Sequence, residues 1–327
     1  MSVPSEVEVL LATFAGERFL REQIDSILAQ DYENLRVLAR DDGSSDGTVE
    51  ILREYEERFP ARFRLMPPGP PTGSAKDNFL LLLGASTAEH VCFSDQDDVW
   101  LPDKVSGTKQ AMDRLESRWG ADLPLLVFTD LRVVDDRLRT LQESFWKYEQ
   151  LDPGRIDRFA GLLGQNVVTG CTAMLNRRLV DLSLRMPEDA VMHDQWIALL
   201  ASALGRTSAI RRQTVLYRQH DRNVVGSEQR TGSLPEFVER VRKTDVRLIN
   251  WSMSQRQARA FLRVHGTEIP MKTRETILSY LACGTDRPRL ARVYGVIRHG
   301  FLRDGLLRKL SMIVDLWMMK IGEDESG

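Results

Sequence analysis

The chain is expected to fold as an α/β protein with a mostly parallel sheet covered by helices on both faces. Two observations predict this. Short apolar runs alternate with amphipathic helical stretches through the first half of the 327 residues, the pattern of successive strand–helix–strand units. Three polar clusters, Thr13 to Gly16, Asp41 to Gly47 and Asp95 to Asp98, each follow an apolar run. In such sheets ligands bind beyond the carboxyl ends of the strands, so the clusters are expected on one rim.

Val7 to Ala12, apolar at every position but Glu8, reads as a buried strand. Phe19, Leu20, Ile24, Ile27 and Leu28 recur at helical spacing. Leu35 to Ala39 is a second strand, ending in the dense turn signal Asp41-Asp42-Gly43-Ser44-Ser45-Asp46-Gly47. Asp46 is expected to cap a helix over Thr48 to Arg58. Phe63 to Met66 is a third strand, and Ala75 to Leu83 a helix. Between them Pro68, Pro70, Pro71 and Gly73 make a stiff loop. Val91 to Ser94 is a fourth strand, Pro102 opens a helix, and Leu125 to Phe128 is a fifth strand. Thr214 to Gln219 reads as a strand, and 232–327 as helical and rich in Arg and Lys. The expected domains are therefore 1–226, catalytic, and 227–327, helical.

Composition excludes several classes. A hydrophobic content of 42% with 28% charged residues fits a globular protein with a core. The formal net charge of −2 gives no global attraction to nucleic acid. Cys92, Cys171 and Cys283 are too few and too dispersed for a disulfide framework or a zinc site. The N-terminus lacks a signal pattern, and no apolar stretch reaches 18 residues, so a cytoplasmic setting is expected.

Asp95, Asp97 and Asp98 crowd three carboxylates into four residues. That is costly unless a cation or strong donors neutralise them. Carboxylate oxygens suit Mn2+ or Mg2+. A solvated turn or a cap for the next helix is the alternative, and placement after a buried strand favours the metal. Asp41 and Asp42 could accept from a pyrimidine or ribose, or simply build a turn. Phe14 could stack on a base or pack. Lys76 could meet a diphosphate or be a solvated charge. Asp194 reads equally as a helix cap or a general base. His220 could be a core, surface or metal-ligating histidine.

In order, Asp-Asp-Gly-Ser-Ser-Asp-Gly-Thr (41–48) and Ser-Asp-Gln-Asp-Asp-Val-Trp-Leu-Pro-Asp-Lys (94–104) form a specific pair. With it, residues from about Glu6 to Gly226 resemble glycosyltransferase family 2, inverting enzymes of the GT-A fold, and in particular a bacterial rhamnosyltransferase-like branch that builds surface polysaccharides. The resemblance implies a UDP- or dTDP-sugar donor and a glycan or lipid-linked acceptor. It implies that Asp42, with Asp41 beside it, meets the pyrimidine and that Phe14 lies against it. Ala12 stands where some relatives have a base-contacting Thr. Lys76 falls near the base or diphosphate, and Asp95 near the ribose. Asp97 faces donor and metal, Asp98 the metal, and His220 matches a third ligand of some relatives. Asn166, Thr169, Gly170 and Cys171 fall along the sugar and acceptor. Asp194 matches the base position, where many relatives have Glu-Asp and this chain has His193-Asp194. The processive Gln-x-x-Arg-Trp motif is absent, which disfavours processive synthesis.

Rival readings are weaker. A non-catalytic nucleotide-sugar or glycan-binding protein would not need Asp97, Asp98, Asp194 and His220 together. A nucleotidyltransferase or dehydrogenase would want a Gly-rich loop after the first strand, and Leu11 to Gly16 is not one. The segment from Leu306 to Lys320 is apolar on more than one helical face, with Trp317 and basic residues at its margins. It reads as a membrane-interface helix, or as one packed on the catalytic domain or in a homodimer. Arg287, Arg289, Arg292, Arg298, Arg303 and Arg308 add a basic surface suited to anionic lipid.

Overall fold

The computed structural model describes residues 6–220, 244–284 and 287–319, with 244–250 by backbone alone. In chain order its strands and helices begin β1 (Val7–Thr13), α1 (Leu20–Leu28), β2 (Leu35–Asp41), α2 (Thr48–Arg58), β3 (Phe63–Leu65) and α3 (Ala75–Ala85). Next come β4 (His90–Ser94), β5 (Val99–Trp100), α4 (Lys104–Trp119), β6 (Leu125–Val134), β7 (Thr140–Gln142) and α5 (Phe145–Tyr148). Then follow α6 (Phe159–Gly164), β8 (Met174–Asn176), α7 (Arg177–Ser183), α8 (His193–Leu204) and β9 (Arg206–Arg218). The helices α9 (Thr244–His265), α10 (Met271–Leu281), α11 (Arg289–Arg298) and α12 (Leu306–Met318) complete it.

Two compact units result. The first comprises 6–149, 168–185 and 205–220; the second comprises 150–167, 186–204 and the described residues from 244 onward. The expected cut at 226 lies outside the described residues, and two earlier segments join the second unit.

The first unit holds one mixed sheet in the order β3-β2-β1-β4-β8-β6-β9-β5, with β7 on β6. β1, β2, β3 and β4 run parallel. The expected α/β class with a mostly parallel sheet is observed. β8 runs antiparallel to both β4 and β6. The apolar run of β1 is explained by burial on both faces. Val7, Val9 and Leu11 pack with Ile24 of α1, Leu52 of α2 and Met112 of α4. Leu10 and Phe93 are equally buried, and Phe93 meets Phe79 of α3 edge-on at 5.1 Å.

Several element boundaries differ from expectation. Asp46 does not occupy the N-cap of α2, which is Gly47; from one residue earlier its Oδ1 accepts the Thr48 N–H at 3.1 Å. α4 starts at Lys104, not Pro102. The two-residue β5, too short for any periodic signal, follows the acidic run directly and pairs with β9. Asp97 and Asp98 therefore cap no helix. β9 is longer than expected because Arg206 to Ile210 pairs in parallel with β6 before the apolar stretch begins.

In the second unit Trp196 of α8 packs against Phe261 and His265 of α9, at 5.4 and 5.6 Å between ring centroids. Trp251, Tyr280 and Phe301 form a second aromatic chain. Arg155 is buried; it pairs with Asp304 and donates to the carbonyls of Gly161 and Leu302.

Asn176 ties the first unit's sheet to the chain entering it. Its Oδ1 accepts from Leu125 and Leu179 N–H, and its Nδ2 donates to Ala121 and Leu123 carbonyls. All four partners would be stranded in Asn176→Leu. Each buried group left unsatisfied costs about 1–3 kcal/mol. The urea midpoint should fall by a loss of at least about 2 kcal/mol with unchanged slope.

Candidate active site

The parallel strands β1, β2 and β4 end at Thr13, Asp41 and Ser94, so the three polar clusters meet on one rim of the first unit's sheet. Hydrogen bonds between them show it. Thr13 Oγ1 donates to Asp41 Oδ1 at 3.0 Å. Ser44 Oγ accepts the Ala15 N–H, and Thr48 Oγ1 accepts the Gly16 N–H. The side chain of Gln96 makes a two-way clamp on Phe14: Oε1 accepts its N–H and Nε2 donates to its carbonyl, both at 2.8 Å. The clamp explains Gly16, where a Cβ would stand 2.2 Å from Gln96 Oε1. It leaves the Phe14 ring 60% exposed.

Asp41 and Asp42 both accept hydrogen bonds from the protein's own donors. Asp41 Oδ2 accepts the Gly43 and Ser44 N–H, and its Oδ1 accepts the Thr13 and Ser44 hydroxyls. Asp42 is buried. Its Oδ1 accepts from Arg40 Nη1 and Thr72 N–H, its Oδ2 from the Thr72 hydroxyl and Gly73 N–H. Four donors fill a carboxylate. Burial alone would raise its pKa, but these donors hold it below the ordinary carboxylate value. Through these bonds Asp42 fixes the Thr72–Gly73 loop. Arg40 and Asn78 brace it from behind, with Arg40 Nη1 donating to Asn78 Oδ1 at 2.9 Å.

The second acidic turn is short of donors. Asp98 is fully buried. Its Oδ1 accepts the Arg218 N–H at 3.2 Å, while Oδ2 has no hydrogen-bond partner among the described residues. Burial first, and then the charges of Asp97 and Asp95, push its pKa well up. Asp95, Asp98 and Cys171 each bring a ligand atom within 4.8 Å of the others. Burial and those same carboxylates keep the Cys171 thiol protonated, so it is a poor ligand for a hard cation. Asp97 is turned to His220, whose Nε2 lies 2.8 Å from Asp97 Oδ2. The residues fit a divalent cation: a crowded carboxylate set with one buried, orphaned oxygen.

Arg218 and Lys104 were not expected here. Arg218 is 1% exposed. It donates to the carbonyls of Asp97 and Asp136 and to Glu22. Its guanidinium lies 4.3 Å from the Phe19 ring centroid, with Arg18 at 4.7 Å from the same ring. Lys104 is fully buried, with Nζ 4.0 Å from the Trp100 ring centroid. Burial lowers its pKa, against the nearby Cys92, Cys171 and Asp98. A strand-ending Arg and a Lys at the start of a helix are ordinary in sequence; only burial marks them.

Of the remaining expected residues, Thr169, Gly170 and Cys171 lie in the first unit at a one-turn 3₁₀ segment, where the Thr169 carbonyl accepts from Thr172. Lys76 is nearly buried and pairs with Asp77 at 3.2 Å. Asn166, His193 and Asp194 belong to the second unit. His193 begins α8, so Asp194 lies in its first turn, and Asp194 Oδ1 accepts the Gln195 N–H at 2.6 Å. Burial lowers the pKa of His193 to about 4, leaving a neutral imidazole at neutral pH.

Asp98 binds its proton more tightly folded than unfolded. The folded state therefore holds more protons above the unfolded pKa, and stability falls as pH rises through that window. In a chelator, Asp98→Asn should raise Tm at about pH 8, with the gain vanishing below about pH 4. Manganese should then raise the Tm of the wild type and leave the variant nearly unchanged.

The family model described as Glycosyl transferase family 2 matches residues 8–182, more than half of the chain. A dTDP-rhamnosyl transferase RfbG of Shigella flexneri is 26% identical over 228 residues, covering 66% of this chain and 74% of that protein. An uncharacterized glycosyltransferase of Nostoc is 24% identical over 226 residues, covering 67% of this chain and 66% of that one. S. aureus TarS 1-349 in complex with UDP aligns with 95% of this chain and 89% of its own at TM-score 0.53 and 15% identity. The mannosyltransferase PcManGT from Pyrobaculum calidifontis, in complex with GDP-Man and Mn2+, aligns with 97% of this chain and 86% of its own at TM-score 0.55 and 15% identity. These two structures show the GT-A fold. With the sheet, its rim of acidic turns and the match over residues 8–182 agreeing, the chain belongs to glycosyltransferase family 2.

Proposed function

We propose that this chain transfers a single sugar, non-processively and with inversion, from a UDP- or dTDP-sugar to a hydroxyl of a glycan or lipid-linked saccharide, in assembly of a bacterial O-antigen, capsule or exopolysaccharide. The observation that carries the reading is Asp98, buried with an unpartnered oxygen among Asp95 and Asp97 at the ligand-binding rim of the sheet. The rhamnosyl transferase named among the relatives makes rhamnose the sugar to try first. UDP in one of the aligned structures and GDP-Man in the other support a nucleotide-sugar donor.

The exposed Phe14 ring offers a flat face to the base, held in place by Gln96. Asp42, with Asp41 beside it, is assigned to the pyrimidine, and both also fix the turn and loop around it. Asp95 is assigned to the ribose and the donor side. Asp97 and Asp98 would hold Mn2+ or Mg2+, with His220 joining through Asp97. When bound, such an ion offsets negative charge developing on the leaving diphosphate. Lys76 is assigned to the same anionic end of the donor, although part of its charge is already met by Asp77.

Asp194 is assigned the acceptor's proton: its carboxylate takes the hydroxyl hydrogen as the oxygen attacks the anomeric carbon. His193, neutral beside it, can orient the acceptor but adds no charge. Asn166, Thr169, Gly170 and Cys171 are assigned to the sugar and acceptor.

A thermal-shift panel of UDP- and dTDP-sugars with and without manganese tests the donor class. One donor should raise Tm, and only with metal present. Asp194→Asn should keep that shift while losing at least about 100-fold in transfer. Near-normal turnover would remove Asp194 from the base role.

A further inference from the structure

The second unit carries two amphipathic helices whose apolar stripes are left uncovered. In α11 the stripe is Leu290, Tyr294 and Ile297, at helical positions i, i+4 and i+7, with Leu290 72% exposed. The opposite face, Arg292 and Val296, is buried. In α12 the stripe is Leu306, Leu310 and Trp317, at i, i+4 and i+11, with Leu306 71% exposed. Its other face buries Met312 and Leu316. The two helices pack on each other. Arg292, fully buried, braces them by donating from Nη2 to the Met319 carbonyl at 3.0 Å.

Charge decides what covers these stripes. Arg287, Arg289, Arg298 and Lys309 are exposed on or beside the same helices. Residues 287–319 contain two acidic residues. Asp304 is committed to Arg155, and Asp315 is buried. The surface is therefore apolar and cationic, with its acidic groups withdrawn. A two-fold contact with a second copy would set this patch against itself, bringing like charges together. An anionic lipid surface answers both features. Apolar side chains enter the headgroup–acyl boundary, amphipathic Tyr and Trp rings sit at its level, and Arg and Lys meet the lipid phosphates.

We infer that α11 and α12 form a peripheral docking surface for an anionic lipid bilayer, lying in its interface without crossing it. No helix among the described residues is long and apolar enough to span a membrane. The inference rests on the second unit alone and stands apart from the sugar-transfer reading.

The test is co-sedimentation of the full chain with vesicles of phosphatidylglycerol and phosphatidylcholine in equal parts, and with pure phosphatidylcholine. The anionic vesicles should bind at least about tenfold better, and the difference should shrink with salt. The triple variant Leu306→Glu, Leu310→Glu, Trp317→Glu should lose vesicle binding. It alters exposed positions, so its Tm should stay near that of the wild type. A second variant, Arg289→Glu, Arg298→Glu, Lys309→Glu, leaves the apolar stripes intact and should also lose the anionic preference. Failure of the wild type to bind anionic vesicles overturns the inference. So does equal binding by wild type and both variants. So does a dimer, seen by light scattering, that the triple variant dissolves while vesicle binding is absent; the face would then belong to a second copy.

Discussion

A single buried guanidinium holds the functional end of the sheet together. Arg218 ends β9, yet its side chain and N–H reach three separate segments: the Asp97–Asp98 turn, the Asp136 carbonyl after β6, and the start of α1 at Glu22 and the face of Phe19. A buried charge with this many donors is tolerable only when each finds an acceptor. Here that requirement works in reverse, because the acceptors lie on different segments and are fixed relative to one another by serving the same ion. The acidic turn, which would otherwise spread under its own repulsion, is pinned through the Asp97 carbonyl and through Asp98 Oδ1.

The two acidic turns show how little residue type alone decides. Asp41, Asp42 and Asp46 sit among Gly, Ser and Thr, whose N–H and hydroxyl groups turn inward to them. For Asp42 and Asp46, hydrogen bonds to the charged form outweigh burial and depress the pKa. Asp95, Asp97 and Asp98 are as dense in sequence, but Asp98 meets a thiol, other carboxylates and one N–H, with the buried Lys104 nearby. The first turn is filled by the protein's own donors. The second leaves Asp98 Oδ2 without a hydrogen bond among the described residues.

Much of this was legible in the sequence. Apolar runs marked β1, β2 and β4, because strands buried on both faces leave no polar alternation to confuse the signal. The convergence of three clusters followed from parallel strands alone. What sequence could not separate was a carboxylate filled by the protein's own donors from one left short of them. Asp42 and Asp98 look alike as letters, and only the Thr72–Gly73 loop, 30 residues downstream of Asp42, distinguishes them. Arg218 and Lys104 were passed over for the same reason: their roles are set by distant partners. β5, two residues long, exists because β9 offers it an edge.

The Asp42 network has a consequence for kinetics. The loop from Pro67 to Gly73 contains four prolines, which narrow its range before folding. Asp42 then anchors its end through three hydrogen bonds to Thr72 and Gly73. The wall beside the rim of polar clusters is thus set by the chain's own hydrogen bonds. A loop that had to close around every arriving molecule would slow association and charge its ordering entropy to each turnover; one that is already set lets recognition proceed as docking to a standing surface.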